Sequence, residues 1–174
     1  MFGAFYLRLL NYHAAVMFGS AHPWVSKEPP YGRHAGDLFA MVPNARLVVM
    51  ARDGREIALS MYKRGWTETI RGSMQRWATF AEMTLNAMDG IPRERARLFR
   101  YDDIVTNFEE EIAALFSHLE LPAPDAAAIL SSGNKNLIPR RSSLGAWKSE
   151  ISTEDLDWFD REYGSIMERL GYSR

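Results

Sequence analysis

The chain has 174 residues, with 21 Lys and Arg against 22 Asp and Glu, four His and no Cys. One compact domain accounts for that length, and a net charge of −1 is too even to coat nucleic acid or an anionic membrane by bulk electrostatics. Any anion site must therefore be local. The lack of Cys excludes disulfides, thiolate zinc sites and cysteine nucleophiles, and it fits a reducing, cytoplasmic setting.

The apolar stretch from Phe2 to Ala21 is interrupted by Arg8, Asn11 and His13, so it leaves no uncharged run long enough to cross a bilayer. Its Phe2, Phe5, Tyr6, Leu9, Leu10, Val16 and Met17 recur at helical steps and predict a core-facing helix. His22 to Lys27 reads as a turn and a short strand closed by Pro29-Pro30, and a short helix with Leu38, Phe39 and Val42 follows. Leu47-Val48-Val49-Met50-Ala51 is a continuous apolar run, as expected of a parallel strand buried on both faces. Asp53-Gly54 offers a tight turn into a helix with Ile57, Ala58 and Met61.

A long helix is predicted from about Gly72 to Asp89, with Met74, Trp77, Ala78, Ala81, Leu85 and Met88 inward. Trp66 is also expected in the core. Ala96 to Tyr101 is a third candidate strand. Thr106 and Glu109 have the spacing of a capping box before a helix with Phe108, Ile112, Leu115, Phe116 and Leu119. Residues 131–148 read as a basic loop, holding Lys135, Arg140, Arg141 and Lys148 and no acid. Ser152 or Thr153 caps a last helix, with Leu156, Phe159, Tyr163, Ile166 and Leu170 inward and Gly171 after it. Strands alternating with helices imply an α/β class: a three-layer sandwich with a short parallel sheet flanked by helices, in a single domain over residues 1–174.

Three segments could carry chemistry. Arg52 leaves a strand at its carboxyl end and Ser60 follows on a helix. Ligands of open α/β sheets sit at that edge, so the two side chains could grip one phosphate. Equally, Arg52 pairs with Asp53 or a helix carboxylate and Ser60 is a surface hydroxyl. The loop Arg140-Arg141-Ser142 with Gly145-Ala146-Trp147-Lys148 could cover a phosphorylated ligand, or be a solvated loop with Trp147 in the core. Tyr101-Asp102-Asp103 could set an aromatic ring against a base and orient a neighbouring Arg, or be an ordinary strand-to-helix turn. His13, His22 and His118 have no ligand spacing, so no metal is expected.

Together these segments resemble the sulfotransferases that use 3′-phosphoadenosine 5′-phosphosulfate (PAPS), a branch of the P-loop nucleotide-binding architecture. In that family an Arg-Asp-Pro/Gly-Arg-acid run with Ser eight residues after the first Arg binds the 3′-phosphate, which assigns Arg52 and Ser60. The resemblance further sets Tyr101 near adenine and brings Arg140, Arg141 and Ser142 over the same phosphate, with Ser142 where Gly is usual. It implies transfer of a sulfuryl group from PAPS to a hydroxyl or amine acceptor, leaving 3′,5′-bisphosphoadenosine (PAP). Lys27 resembles the family lysine before the acceptor site. Pro29 stands where the cytosolic branch has its catalytic His, so Glu28 and His34 are the nearby candidates for a base.

The family normally opens with a strand and a loop that hold the 5′-phosphosulfate, and no such unit precedes Lys27. On this reading the chain is N-terminally truncated relative to the family, and its sheet edge is open to self-association. The alternative function is a noncatalytic fragment or a nucleotide-binding interaction module.

Overall fold

The computed structural model describes residue 25, residues 34–132 and residues 144–173. The predicted N-terminal helix, the turn and strand before Pro29, and the candidates Lys27, Glu28, Arg140, Arg141 and Ser142 lie outside them. In chain order the described elements are α1 (Ala35–Met41), β1 (Leu47–Ala51), α2 (Gly54–Lys63), α3 (Ile70–Asp89), β2 (Ala96–Arg100), α4 (Tyr101–Thr106), α5 (Phe108–His118), α6 (Ala126–Ser131), α7 (Trp147–Glu150) and α8 (Thr153–Arg169). The architecture is α/β and helix-rich around a short parallel sheet.

The strands β1 and β2 pair in parallel, in a register from Leu47 opposite Ala96 to Ala51 opposite Arg100. A parallel pair needs a crossover, and α2 with α3 supplies it. Thr69 starts α3 by accepting the Gly72 N–H at 3.0 Å on its hydroxyl, two residues earlier than the predicted start. The twenty residues of α3 bury Met74, Trp77, Ala78, Ala81 and Leu85 along one stripe. That stripe meets α8, where Trp77 lies 5.3 Å from Phe159 between ring centroids and Tyr163 packs edge-on against both. The two helices run parallel. Arg71 at the start of α3 pairs with Glu154 and Asp155 at the start of α8, and Arg169 at the end of α8 reaches Asp89 at the end of α3. Ser152 caps α8 through the Asp155 N–H, and Gly171, at φ 79°, turns the chain after it.

Several expectations are corrected. The apolar run of β1 is not buried on both faces: Val49 and Ala51 are packed, but Met50 is 54% exposed. Successive strand residues point to opposite sides, and the core takes only one of them here. Trp66, expected in the core, is 56% exposed on the α2–α3 connection, with the Arg64 guanidinium against its ring. No capping box forms at Thr106. Its hydroxyl donates back to the carbonyls of Asp102 and Asp103 and closes α4, while Asn107 leads into α5 without a side-chain cap. Tyr101 begins a helix where the strand was expected to include it, and α7 begins within the stretch read as loop.

The crossover packs tightly at Gly54, where a Cβ would stand 2.5 Å from Cζ2 of the buried Trp77 ring. Gly54→Ala must push that indole or the turn aside, at an expected cost of about 1–3 kcal/mol. Urea unfolding should show the loss as a lowered midpoint at unchanged slope.

Candidate functional site

The in-register pairing determines which side chains emerge together. Arg52 follows Ala51 and Tyr101 follows Arg100, so they leave adjacent carboxyl ends of the two strands. The Arg52 guanidinium sits over the Tyr101 ring, 4.9 Å from its centroid. Arg52 Nη2 also stands 3.7 Å from Oε2 of the buried Glu56. Arg52 precedes the N-cap of α2, and Glu56 and Ser60, four residues apart within the helix, share one of its faces. Of the open alternatives for Arg52, the helix carboxylate is the one that pairs with it. Asp53 is taken by Arg55.

That second pair builds the turn. Asp53 is the N-cap of α2 and accepts the Arg55 backbone N–H at 2.9 Å. The same carboxylate receives the Arg55 fork, Nε on one oxygen and Nη2 on the other, each at 2.9 Å. Arg55 also donates from Nη2 to the Ser173 carbonyl at 3.2 Å, and its guanidinium lies 3.9 Å from the centroid of the Trp147 ring. Both charged side chains are buried, which an ion pair tolerates only when hydrogen bonding replaces the lost water.

At the end of β2, Asp103 holds Arg100 through two hydrogen bonds at 2.6 and 2.8 Å, as expected of an acid that orients a neighbouring Arg. Arg100 donates in addition to the Gly171 carbonyl. Asp102 instead accepts from the Tyr172 hydroxyl, which also lies 3.4 Å from the Ala51 carbonyl. Burial, and then the Asp102 carboxylate, push the Tyr172 phenol far above its usual range, so it remains a protonated donor. Residues 171–173 are thereby tied across the carboxyl ends of both strands.

Of the sequence candidates among the described residues, Arg52 and Tyr101 share this edge of the sheet, and Ser60 lies farther along α2. Ser60 and Tyr101 are half-buried. His34 is not brought to them: it is exposed at the start of α1, with Nδ1 4.0 Å from Asp37. The adjacent Ala35 and Gly36 line an open groove of about 540 Å³ with Thr79, Glu82 and Asn86 of α3. His118 Nε2 lies 3.1 Å from the Leu47 carbonyl oxygen, where it braces α5 on β1. Among the described residues no cluster of His, Asp and Glu could hold a metal ion, and no helix is long and apolar enough to cross a membrane.

Sequence reasoning missed Arg55, Glu56 and Tyr172. Asp53-Gly54-Arg55 carried a signal, since a capping Asp followed two residues later by Arg can fold its carboxylate onto both the N–H and the fork. Tyr172 carried none, because its partner is 70 residues away.

A family model described as the sulfotransferase family matches residues 4–125. A protein-tyrosine sulfotransferase of Drosophila melanogaster is 27% identical over 107 residues, which make up 58% of this chain and 21% of that protein. The chain thus spans about a fifth of the length of this curated relative. Among solved structures, a sulfotransferase domain from the curacin biosynthetic pathway is similar with a TM-score of 0.71 at 18% identity, over 98% of this chain and 68% of that one. The mouse sulfotransferase SULT7A1, complexed with PAP, is similar with a TM-score of 0.59 at 14% identity, over 75% of this chain and 60% of that one. At these identities the structural likeness speaks for the fold.

Removing the carboxylate at the turn leaves the buried Arg55 without its counter-charge. Asp53→Ala should cost about 3–5 kcal/mol. Asp53→Asn, which keeps the cap and one acceptor, should cost clearly less. Chemical denaturation of the two variants beside the parent checks the order.

Proposed function

The chain belongs to the sulfotransferase family, and we propose that it transfers a sulfuryl group from PAPS to a hydroxyl or amine acceptor, with Arg52 and Ser60 holding the 3′-phosphate. The observation that carries this reading is the pairing of Arg52 with Tyr101 at the carboxyl ends of two parallel strands. A guanidinium fork suits a phosphate, an aromatic plane suits a purine, and this edge of an α/β sheet is where nucleotides bind. Ser60, one turn beyond Glu56 on α2, is the hydroxyl that we propose as a neutral donor to the same phosphate. Glu56 holds Arg52 from 3.7 Å, longer than a charged hydrogen bond, so a phosphate at contact distance outcompetes it. The matched sulfotransferase structure that carries PAP supports the same ligand class.

In the reaction the acceptor oxygen or nitrogen attacks sulfur in line. A new bond to sulfur forms while the bond between sulfur and the 5′-phosphate oxygen breaks, and PAP departs. A base takes the acceptor proton, and cationic donors stabilise charge growing on the departing phosphate. For these tasks we propose Lys27 toward the departing phosphate and Glu28 or His34 as base, with Arg140, Arg141 and Ser142 joining Arg52 at the 3′-phosphate.

Calorimetric titration with PAP and with 5′-AMP tests the half-site, because only the first carries a 3′-phosphate. PAP should bind far more tightly, and Arg52→Ala should weaken it by about a hundredfold while leaving 5′-AMP unchanged. Equal affinity for the two ligands, or an Arg52→Ala chain that binds PAP like the parent, overturns the assignment. Release of PAP from PAPS in the presence of simple phenols or amines distinguishes a transferase from a module that only binds nucleotide.

A further inference from the structure

The strands β1 and β2 are paired up to Ala51 opposite Arg100. Beyond that rung the chains part, Arg52 toward the cap of α2 and Tyr101 into α4. Tyr172 reaches across the gap. Its hydroxyl donates to the carboxylate of Asp102, the residue after Tyr101, and lies 3.4 Å from the carbonyl oxygen of Ala51, the residue before Arg52. A phenol has a single hydrogen to give, so the charged carboxylate is its main acceptor and the carbonyl a longer second one.

The tyrosine is presented from a fixed base. The α8 helix buries Phe159, Ile166 and Met167. Two backbone bonds close its end, from the Gly171 N–H to the Glu168 carbonyl and from the Tyr172 N–H to the Met167 carbonyl, both at 2.9 Å. Gly171 stands at φ 79°, and a Cβ there would be 3.3 Å from Cδ of Arg100, so the turn fits closely against the end of β2. Arg100 donates to the Gly171 carbonyl and Arg55 to the Ser173 carbonyl, which ties the residues on both sides of Tyr172. The ring is therefore in place without its hydroxyl. The group at the other end of the bond is less well held, because α4 has six residues and no side-chain cap at its start, where Tyr101 and Asp102 lie.

We infer that Tyr172 is a positioning residue for the nucleotide: its hydroxyl, presented from the end of α8, fixes Tyr101 against Arg52 at the separation that an adenine and a 3′-phosphate require. This rests on the reading of Arg52 as the 3′-phosphate anchor and Tyr101 as the adenine partner. A ligand that spans both groups gains from a separation set in advance, whereas a ligand that reaches Tyr101 alone does not.

The test is the affinity for PAP and 5′-AMP of Tyr172→Phe, Asp102→Ala, Asp102→Asn and the double variant Tyr172→Phe/Asp102→Ala, each checked for folding by thermal unfolding. Tyr172→Phe keeps the ring and loses only the hydroxyl. It should weaken PAP about fivefold to tenfold, the range expected of one hydrogen bond, and 5′-AMP by less than about twofold. Asp102→Ala should match it, and Asp102→Asn, whose amide oxygen still accepts from the phenol, should keep most of the parent's affinity. The double variant should bind PAP no worse than the weaker single one, because both changes break one contact. Parent-like PAP affinity in folded Tyr172→Phe, equal losses for the two ligands, or additive losses in the double variant overturns the inference and leaves Tyr172 a packing residue of α8. If Asp102→Ala does not fold, Tyr172→Phe and Asp102→Asn decide by their difference. Failure of the underlying reading looks different: the parent chain itself then shows no preference for PAP over 5′-AMP.

Discussion

The Asp53 carboxylate accepts a backbone N–H and both arms of a guanidinium within one turn, and the geometry of the strand edge follows from it. The cap starts α2 directly after β1, leaving no slack in which Arg52 could swing away from the strand end. The fork draws Arg55 inward, and the buried guanidinium then collects the Ser173 carbonyl and the Trp147 ring. A buried pair of this kind contributes little net stability compared with an apolar substitute, since desolvation offsets most of the attraction. What it does is join the turn to residues 171–173 and α7 through one buried guanidinium, and Gly54 beside Trp77 lets the turn approach at close quarters.

Within Arg52-Asp53-Gly54-Arg55-Glu56 the charges sort into two nested pairs. The inner one, Asp53 with Arg55, is short and buried; the outer one, Arg52 with Glu56, spans 3.7 Å and leaves the arginine partly exposed. The sorting follows from spacing. The capping carboxylate of Asp53 reaches the side chain two positions on, whereas Arg52, ahead of the cap, is left to the Glu56 carboxylate in the first turn of α2. Two arginines of like sequence context thereby acquire different work, one fixed within the fold and one presented at the strand ends.

The long-range frame was legible because it is written in periodicity. The strands at Leu47 and Ala96 and the helices carrying Trp77 and Phe159 follow apolar spacing that a core imposes on any sequence. That Arg52 and Tyr101 leave the carboxyl ends of strands was legible from motif order. What escaped depends on three-dimensional neighbours. Met50 is as apolar as Val49, and only its side of the strand makes it exposed; Trp66 is large and aromatic, and only its place on a connection keeps it out of the core. Thr106 had the sequence of a cap but found closer acceptors in the turn behind it. The partner of Arg55 across 118 positions follows from no local pattern.

On the proposed reading a nearly neutral chain selects a phosphate, because the selection does not draw on net charge. The turn from Arg52 to Glu56 sums to zero, two arginines against two acids, so long-range attraction there is weak and screened within about 10 Å at ordinary salt. On that reading specificity comes from donors held in place: a guanidinium 3.7 Å from the Glu56 carboxylate and over the Tyr101 ring. On the proposed reading the site costs little reorganisation when an anion arrives, because the arginine is already ordered. The acids then belong to the anion site: without Asp53 the turn loses its cap, and without Glu56 Arg52 loses one of its contacts.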